Sequence, residues 1–144
     1  MINASFEVNF VHRLRFTRDA LDPGNPAWHE VMAPTAGGPA RVLAFIDSGL
    51  AGAWPGLEEA VTRYAEAHPR SLQLVGAPLI VPGGEVIKND RRHVDWILQS
   101  IHDAHICRQS YVTVFGGGAV LDAVGYAAAI AHRGIRLVRF PTTT

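Results

Sequence analysis

The sequence predicts an α/β fold built on a mostly parallel sheet with helices on both faces, plus an edge β segment at the amino terminus. Three observations support this prediction. From residue 41 onward, short continuous apolar runs alternate with helical stripes of apolar residues. Glycine-rich or acidic turns follow several of these runs, as expected where a parallel strand leads into a helix. The 144 residues, of which 48% are hydrophobic, suffice for one domain with a substantial core.

The first 40 residues are predicted to form edge strands and loops. Apolar side chains partly alternate in FEVNFVHRLRFT, residues 6–17, which favours one extended strand or two short ones at a sheet edge. LDPGNPAWHE contains Pro-Gly and Asn-Pro breakers and is interpreted as a turn. APTAGGPA is interpreted as a second loop because it is rich in turn residues.

Residues 41–144 are predicted to form the alternating β/α core. RVLAFID is typical of a buried parallel strand and ends at Asp47. A helix with Pro55 in its first turn follows, and His68-Pro69 ends it. LQLVGAPLIVPGGE offers one or two short strands, and an amphipathic stripe predicts a helix from about Asn89 to Ala104. SYVTVF, AVLDAVGYAAAIAHR and IRLVRF complete the pattern as strand, helix and strand.

Charge and cysteine content narrow the possible partners. With 13 basic and 13 acidic residues the chain has no net charge, which gives no electrostatic reason to expect a nucleic acid or a membrane surface. The single cysteine, Cys107, excludes an intramolecular disulfide. The amino terminus lacks a signal-peptide pattern, and no apolar run approaches the roughly 20 residues of a membrane span. We therefore expect a cytoplasmic protein.

Two turns in the first half of this core carry candidate ligand-binding residues, because parallel sheets bind ligands where strands end and helices begin. Asp47 ends the first strand and is expected either to cap the next helix or to contact a nucleotide sugar. In PGGEVIK, Gly83 and Gly84 permit positive φ and close approach of a ligand. Glu85 and Lys88 are three residues apart, so they form either a solvated ion pair or a joint ligand contact.

The most informative turn is Gly116, Gly117 and Gly118, between a predicted strand and a predicted helix. Backbone N–H groups and the helix dipole favour a phosphate there, and glycines allow close approach. Asp122 lies in the first helical turn, near the expected ligand. The turn is not the G-x-G-x-x-G fingerprint, so a tight turn without a ligand is the alternative. Gly125 and the alanines after it predict close packing of the helix against the sheet.

The histidines and the cysteine do not predict a metal site. HDAHIC places His102 three residues before His105 and close to Cys107, but no second cluster with ligand-like spacing completes a site. Arg133, at the end of the last helix, is expected either to meet the helix dipole or to bind an anionic group.

Taken together, GGGAVLDAVGYAAAIAHRGIRLVRFPTTT closely resembles the nucleotide-binding segment of 3-dehydroquinate synthase and its relatives, the sugar phosphate cyclases. The residues in step with the family pattern GGGxxxDxxGFxAxxxxRG…PTT are Gly116–Gly118, Asp122, Gly125, Arg133, Gly134, Pro141, Thr142 and Thr143. PGGEVIK matches the upstream GGExxK motif, and VLAFID matches a strand that ends in aspartate. The resemblance extends over residues 41–144, with three motifs in the family order.

This resemblance implies a Rossmann-like NAD-binding domain. In the family, NAD transiently oxidises a hydroxyl of a phosphorylated sugar or sugar acid, phosphate is eliminated, and a carbocycle closes. Asp47, Gly83, Gly84, Glu85 and Lys88 would hold the adenosine and ribose side of NAD, and Gly116, Gly117, Gly118 and Asp122 its pyrophosphate and ribose. Thr142 and Thr143 would contact the cofactor further along. Arg133 would bind the anionic end of the substrate, with the interface of a homodimer as a candidate place for that contact.

The resemblance also implies what this chain does not carry. In the family a largely helical domain follows the PTT motif and binds zinc or cobalt, so we expect the chain to be a truncated amino-terminal domain. It would bind NAD, contain no catalytic residue and be inactive alone. Leu121-Asp122 replaces the usual Gly-Asp and resembles cyclases of secondary metabolism, which leaves the substrate open. The alternatives are a non-catalytic nucleotide- or partner-binding module and an iron-dependent alcohol or glycerol dehydrogenase domain.

Overall fold

The computed structural model of the chain describes residues 3–7, 11–32 and 38–142. They form five strands, six α-helices and a short 3₁₀ turn, Ala131–Arg133. In chain order the elements are α1 Ala27–Val31, β1 Ala40–Asp47, α2 Ser48–Ala53, α3 Leu57–Ala67, β2 Leu72–Leu74, β3 Leu79–Val81, α4 Val86–Asn89, α5 Arg91–Asp103, β4 Tyr111–Gly116, α6 Gly118–Ile130 and β5 Arg136–Pro141.

All the strand pairs that join these five strands are parallel. One edge of β1 pairs first with β2, through Ala40–Val42, and then with β3, through Phe45–Asp47. The other edge of β1 pairs with β4, and β5 lies beyond β4. The chain therefore reverses its direction of travel across the sheet between β3 and β4. The carboxyl ends of β1 and β4 form the topological switch point, where open α/β sheets bind ligands.

Helices cover both faces of the sheet, as predicted. On one face, α4, α5 and α6 pack against alternate residues of β1 and β4 in a large apolar cluster that includes Phe45, Ile97 and Val124. On the other face, α1 and α3 pack against the intervening residues through Trp28 and Tyr64. The continuous apolar runs in β1 and β4 follow from this arrangement, because a parallel strand buried on both faces has no polar side.

The expected edge strand at the amino terminus is not formed by the described part of the segment. Residues 3–7 and 11–17 lie outside regular secondary structure, and residues 8–10 lie outside the described residues. Phe6 and Phe16 are 86% and 92% exposed, so the alternating side chains have no surface to cover. Alternating apolar side chains give a strand one face that can be buried. A strand also needs a hydrogen-bonded neighbour, and none of the described strands pairs with this segment.

The stretch LDPGNPAWHE is more than a turn. Asn25 organises the turn that precedes Pro26: its side-chain amide donates to the carbonyl of Arg18, at 2.7 Å, and its Oδ1 accepts from the backbone N–H of Ala27, at 2.9 Å. Helix α1 then begins at Ala27 and buries Trp28, which is 1% exposed. The breakers indicated the turn, but the helix depends on a tertiary contact of Trp28 that local propensity does not encode.

Local backbone geometry sets three further boundaries. Pro55 precedes α3 rather than lying in its first turn, because Gly56 with φ 92° intervenes. The helix expected from about Asn89 to Ala104 is α5, and Asp90, whose extended backbone and side chain cap it, separates it from the short α4. Gly76, with φ 78°, lies between β2 and β3, so the two-strand interpretation of that stretch is the correct one.

Candidate functional site

The carboxyl ends of three strands converge at the switch point. At or just after each of them lies a residue that the sequence singled out. Asp47 ends β1, Gly116 ends β4, and Gly83 follows β3 by two residues. A Cβ on Gly116 would lie 2.8 Å from the Cβ of Asp47, and a Cβ on Gly83 would lie 3.0 Å from its carboxyl carbon. Both distances are too short for real side chains, so the two glycines permit their strands to close around the aspartate.

Asp47 has a defined structural role at this point. It is 9% exposed, and its Oδ1 accepts hydrogen bonds from the backbone N–H groups of Gly49, at 2.7 Å, and Leu50, at 3.4 Å. The carboxylate therefore caps α2, which is one of the two interpretations that its position allowed. Ser48, which the sequence did not single out, accepts a hydrogen bond from the backbone N–H of Gly83, at 3.0 Å. These contacts connect the turn after β1 to the turn after β3.

The glycine triplet forms the turn from β4 into α6. Gly117 is the N-cap residue of this 13-residue helix and provides no side-chain hydrogen bond. The first backbone N–H groups of an uncapped helix point outward without intrahelical partners, so they can bind an anion. A Cβ on Gly118 would meet no atom within 4 Å, which leaves open space beside these groups. The backbone N–H of Thr142 donates to the carbonyl of Gly116, at 3.1 Å, and so holds the residue after β5 beside the turn.

Lys88 and Asp122 form an ion pair across the gap between α4 and α6. The ammonium and the carboxylate lie 3.0 Å apart, with side chains 38% and 62% exposed. The hydrogen bond to Asp122 raises the pKa of Lys88, and the nearby charge of Glu85 raises it further. Lys88 thus pairs with Asp122, which is distant in sequence, rather than with Glu85, an ion pair that was one of the two interpretations of their spacing. Two predicted cofactor residues from different motifs are in direct contact.

A groove of about 600 Å³ runs from this ion pair between α5 and α6. Its apolar lining includes Ile87, Leu98 and Ile130, and Tyr126 stands at its edge with 58% of its surface exposed. The groove is therefore continuous with the side chains of Lys88 and Asp122 and extends away from the glycine turn along α6.

The structure places the remaining predicted residues as follows. Gly84 has φ 71°, as its turn was expected to require, and Glu85 follows it just before α4. Gly125 confirms the predicted close packing, because a Cβ there would lie 3.3 Å from a side-chain carbon of Leu137 in β5. Thr143 lies outside the described residues.

Arg133 is not brought to the other candidate residues. It follows the carboxyl end of α6, and the 13 residues of that helix extend about 20 Å from the glycine turn. Both Arg133, with φ 67°, and His132, with φ 49°, adopt the left-handed conformation that non-glycine residues rarely adopt. The two residues share a shallow surface depression with Cys107 and Arg108, at the edge of the sheet where the strands begin.

Metal-binding groups do not cluster in the part of the chain that the structure describes: no three His, Cys, Asp or Glu side chains there are placed to share an ion. The thiol of Cys107 lies 3.5 Å from the hydroxyl of Ser110, and this hydrogen bond is the main cause of a lowered Cys107 pKa. No helix in the described ranges is long and apolar enough to cross a membrane.

These features define a class: a parallel α/β domain with helices on both faces and a glycine-lined edge, with an uncapped helix amino terminus, at its topological switch point. Comparisons with known proteins make the assignment more specific. Residues 78–144 match the family model for the N-terminal domain of 3-dehydroquinate synthase. This segment is therefore homologous to that domain, which confirms over residues 78–144 the resemblance found in the sequence.

Two curated relatives illustrate the match. The 3-dehydroquinate synthase of Shewanella frigidimarina is 40% identical over 65 residues, which are 45% of this chain and 18% of the relative. That of Roseobacter denitrificans is 43% identical over 68 residues, 45% of this chain and 17% of the relative. The aligned region thus spans less than a fifth of either enzyme.

Solved structures of sugar phosphate cyclases share the fold. The 2-epi-5-epi-valiolone synthase of Streptomyces hygroscopicus subsp. jinggangensis, solved with NAD⁺ and Zn²⁺, superposes with a TM-score of 0.67 at 23% identity, covering 96% of this chain and 35% of that one. A 2-deoxy-scyllo-inosose synthase superposes with a TM-score of 0.60 at 24% identity, covering 81% of this chain and 31% of that one. The Rossmann-like arrangement inferred from the sequence is thereby confirmed.

Proposed function

We propose that the chain is the NAD-binding domain of a sugar phosphate cyclase related to 3-dehydroquinate synthase. One observation carries the proposal: the uncapped amino terminus of α6 lies at the switch point, with open space above Gly118, inside the segment that matches the family. A helix amino terminus of this kind accepts a phosphate without any side chain. The solved 2-epi-5-epi-valiolone synthase and a 2-deoxy-scyllo-inosose synthase were crystallised with NAD⁺, which supports the choice of dinucleotide.

The residues present fit such a cofactor. The glycine turn, Gly116 to Gly118, would bind the pyrophosphate through backbone N–H groups, and Asp122 would accept from a ribose hydroxyl. Asp47, Gly83, Gly84, Glu85 and Lys88 line the β1 and β3 side and would hold the adenosine part. Thr142 and Thr143 follow β5 and would contact the cofactor further along. When bound, NAD supplies a hydride acceptor and donor; the chain's own residues bind and orient it.

The complete reaction would be NAD-assisted phosphate elimination and carbocycle formation from a phosphorylated sugar or sugar acid. The solved relatives contain Zn²⁺ or Co²⁺, and one contains carbaglucose-6-phosphate, an analogue of such a substrate. No cluster of metal-ligating groups occurs in the described ranges of this chain. We therefore assign metal binding and catalysis to a second domain of a longer protein, and we expect this chain alone to bind NAD without turnover.

Arg133 is assigned to the substrate site of a second subunit. It lies about 20 Å from the glycine turn of its own chain, too far to share a ligand with it. Tyr126 and Ile130 leave an exposed apolar stripe on α6, 58% and 48% exposed. Antiparallel packing of two α6 helices about Tyr126 would place Arg133 beside the first turn of the partner's α6. A homodimer would thus complete the anionic end of each site.

The direct test is calorimetric titration of the chain with NAD. Gly118→Val fills the open space above the turn without touching the protein, so we expect affinity to fall about tenfold or more, which corresponds to about 1.4 kcal/mol. Gly52→Val is the matched control, because a Cβ on Gly52 also meets no atom within 4 Å and Gly52 belongs to α2 rather than to the glycine turn. Asp122→Asn should weaken binding as well, through the lost carboxylate.

Equal affinity of the wild type, Gly118→Val and Asp122→Asn would show that the turn does not bind NAD. Incubation of the chain with NAD, Zn²⁺ or Co²⁺ and a phosphorylated sugar is expected to release no phosphate. Sustained release would contradict the assignment of catalysis to another domain and would make the chain an enzyme by itself.

A further inference from the structure

Trp28 packs directly beneath the strand ends that carry the proposed cofactor turn. Its ring makes edge-to-face contacts with Phe115 and Phe140, each with centroids 5.6 Å apart. These two rings are stacked at 4.4 Å, and they are register partners that immediately precede Gly116 and Pro141. Trp28 therefore supports both residues that position the glycine turn and the segment after β5.

Helix α1, which carries Trp28, is held in place by three rings that belong to two elements. His29 of α1 lies against His68, which follows α3, with ring centroids 4.2 Å apart, and Tyr64 of α3 lies 4.6 Å from His68. The Tyr64 hydroxyl contacts the carbonyl of Asn25, at 2.7 Å, and His29 Nδ1, at 3.0 Å. His68 Nε2 contacts the carbonyl of Pro23, at 2.9 Å. We call this group the histidine stack.

The hydrogen bonds fix where the protons lie. A carbonyl oxygen only accepts, so the single Tyr64 proton is donated to Asn25, and His29 must donate from Nδ1 to the Tyr64 oxygen. In the same way His68 must donate from Nε2 to Pro23. Both rings can therefore be neutral with every contact satisfied. A further proton on each ring would place two positive charges about 4 Å apart in contact with one another.

The surroundings of the stack disfavour that doubly charged state. The carboxylate of Glu30, on the same helix, favours a charged His29, whereas the rings of Tyr64 in α3 and of His68, which follows α3, pack against it. Burial is the main cause of a lowered His29 pKa, and the positive charge of His68 lowers it further. Separating the rings relieves the repulsion, and a movement of α1 away from α3 separates them.

We propose that α1 is a pH-sensitive clamp in which the histidine stack holds Trp28, as a positioning residue, beneath the cofactor edge. At neutral pH the stack is closed and the strand ends are supported. Acidification adds a positive charge at His29 within the stack, releases α1 and loosens the turn at Gly116. The effect on the cofactor rests on the proposed function, whereas the release of Trp28 does not.

The first experiment follows Trp28 without any cofactor. In the Trp54→Phe/Trp96→Phe double variant Trp28 is the only tryptophan; the two replaced residues are 48% and 44% exposed. We expect a red shift of emission and greater acrylamide quenching as the pH falls from about 6.5 to 5, below the ordinary histidine pKa, with unchanged far-ultraviolet circular dichroism. In the wild-type chain the same titration should raise the quenchable fraction from two tryptophans to three, which provides the measurement if the double variant does not fold.

Matched substitutions separate charge from packing. Asn at position 29 keeps a donor near Nδ1, and Gln at position 68 keeps one near Nε2, so His29→Asn and His68→Gln should retain the closed clamp and lose its pH dependence. His102→Gln, on an exposed position of α5, should keep the wild-type response. In the wild type, affinity for NAD should fall about tenfold at the lower pH, which is the effect of a one-unit difference in pKa between the open and closed states. In the two stack variants it should stay constant.

Three results would overturn the clamp: emission that does not change with pH, a change that His29→Asn and His68→Gln both retain, or loss of secondary structure together with the emission change. Absence of NAD binding at every pH, combined with the expected Trp28 response, would contradict the proposed function and leave the clamp intact.

Discussion

The structural role of Asp47 and its proposed role in ligand binding can be measured separately with two substitutions. Asp47→Ala removes the cap of α2, in which one hydrogen bond is short, at 2.7 Å, and the other is long, at 3.4 Å. Loss of an N-cap costs about 1 kcal/mol, and burial of the site moves the expected cost to roughly 1–2 kcal/mol. For a chain of 144 residues this predicts a decrease in melting temperature of about 3–6 °C.

Asp47→Asn keeps an oxygen that can accept from Gly49 and Leu50, so most of the stability should remain. It removes the negative charge, which a cofactor hydroxyl would need as a strong acceptor. We therefore expect Asp47→Asn to melt close to the wild type while its affinity for NAD falls several-fold. Thermal melts followed by circular dichroism, together with calorimetric titration, measure the two effects on the same samples.

Two results would refute this reasoning. If Asp47→Asn lost as much stability as Asp47→Ala, the cap would not be the main contribution of this side chain. If Asp47→Asn bound NAD as tightly as the wild type, the charge of Asp47 would have no part in the cofactor site, and its role would be structural alone.

Three further predictions concern the residues that support this edge. Gly83→Ala should destabilise the wild type by more than it destabilises Asp47→Ala, because the added methyl overlaps the carboxylate; equal costs in a double-mutant cycle would contradict the overlap. Arg41→Met should cost about 1–2 kcal/mol, since its guanidinium donates at 2.9 Å and 3.0 Å to two carbonyls just after α5; chemical denaturation measures it, and an unchanged midpoint would refute the role. His29 has a pKa lowered from 6.5, so its contribution to stability is present above about pH 6.5 and is lost as the pH falls below that value; melts of wild type and His29→Asn should diverge only there.

The alternating core was predictable because its signals are local. RVLAFID and SYVTVF are apolar at most positions that a doubly covered strand must bury, Asp47 and Thr113 being the buried polar exceptions, and they correspond to β1 and to all of β4 except Gly116. The glycine turn between β4 and α6 could also be placed from sequence, since a strand followed by three glycines and an alanine-rich run has few other structures. Hydrophobic periodicity and local composition determine these elements. The family match over residues 78–144 covers β4, the glycine turn and α6.

What could not be predicted depends on contacts between distant residues. The spacing of Glu85 and Lys88 allowed either an ion pair or a joint ligand contact, whereas in the fold Lys88 pairs with Asp122 from another motif. Trp28 lay in a stretch full of turn residues, and only the packing of Phe115 and Phe140 gives it a role. The size of Trp28 was the one signal in the sequence that it is buried, because a tryptophan side chain is costly to expose.

The geometry of the switch point limits how any ligand can be recognised there. Asp47 fills the floor between β1 and β4, and its Oδ1 accepts from the backbone of α2, so a ligand can use only the Oδ2 of this carboxylate and otherwise lies against backbone. The backbone N–H groups at Gly118 supply positive potential without specificity. Discrimination between ligands must then come from the side chains around the edge. Two of these, Lys88 and Asp122, neutralise each other until a ligand separates them. A phosphate that attracts Lys88 would free Asp122 to accept from a neighbouring hydroxyl, which is the combination of groups that a ribose phosphate offers.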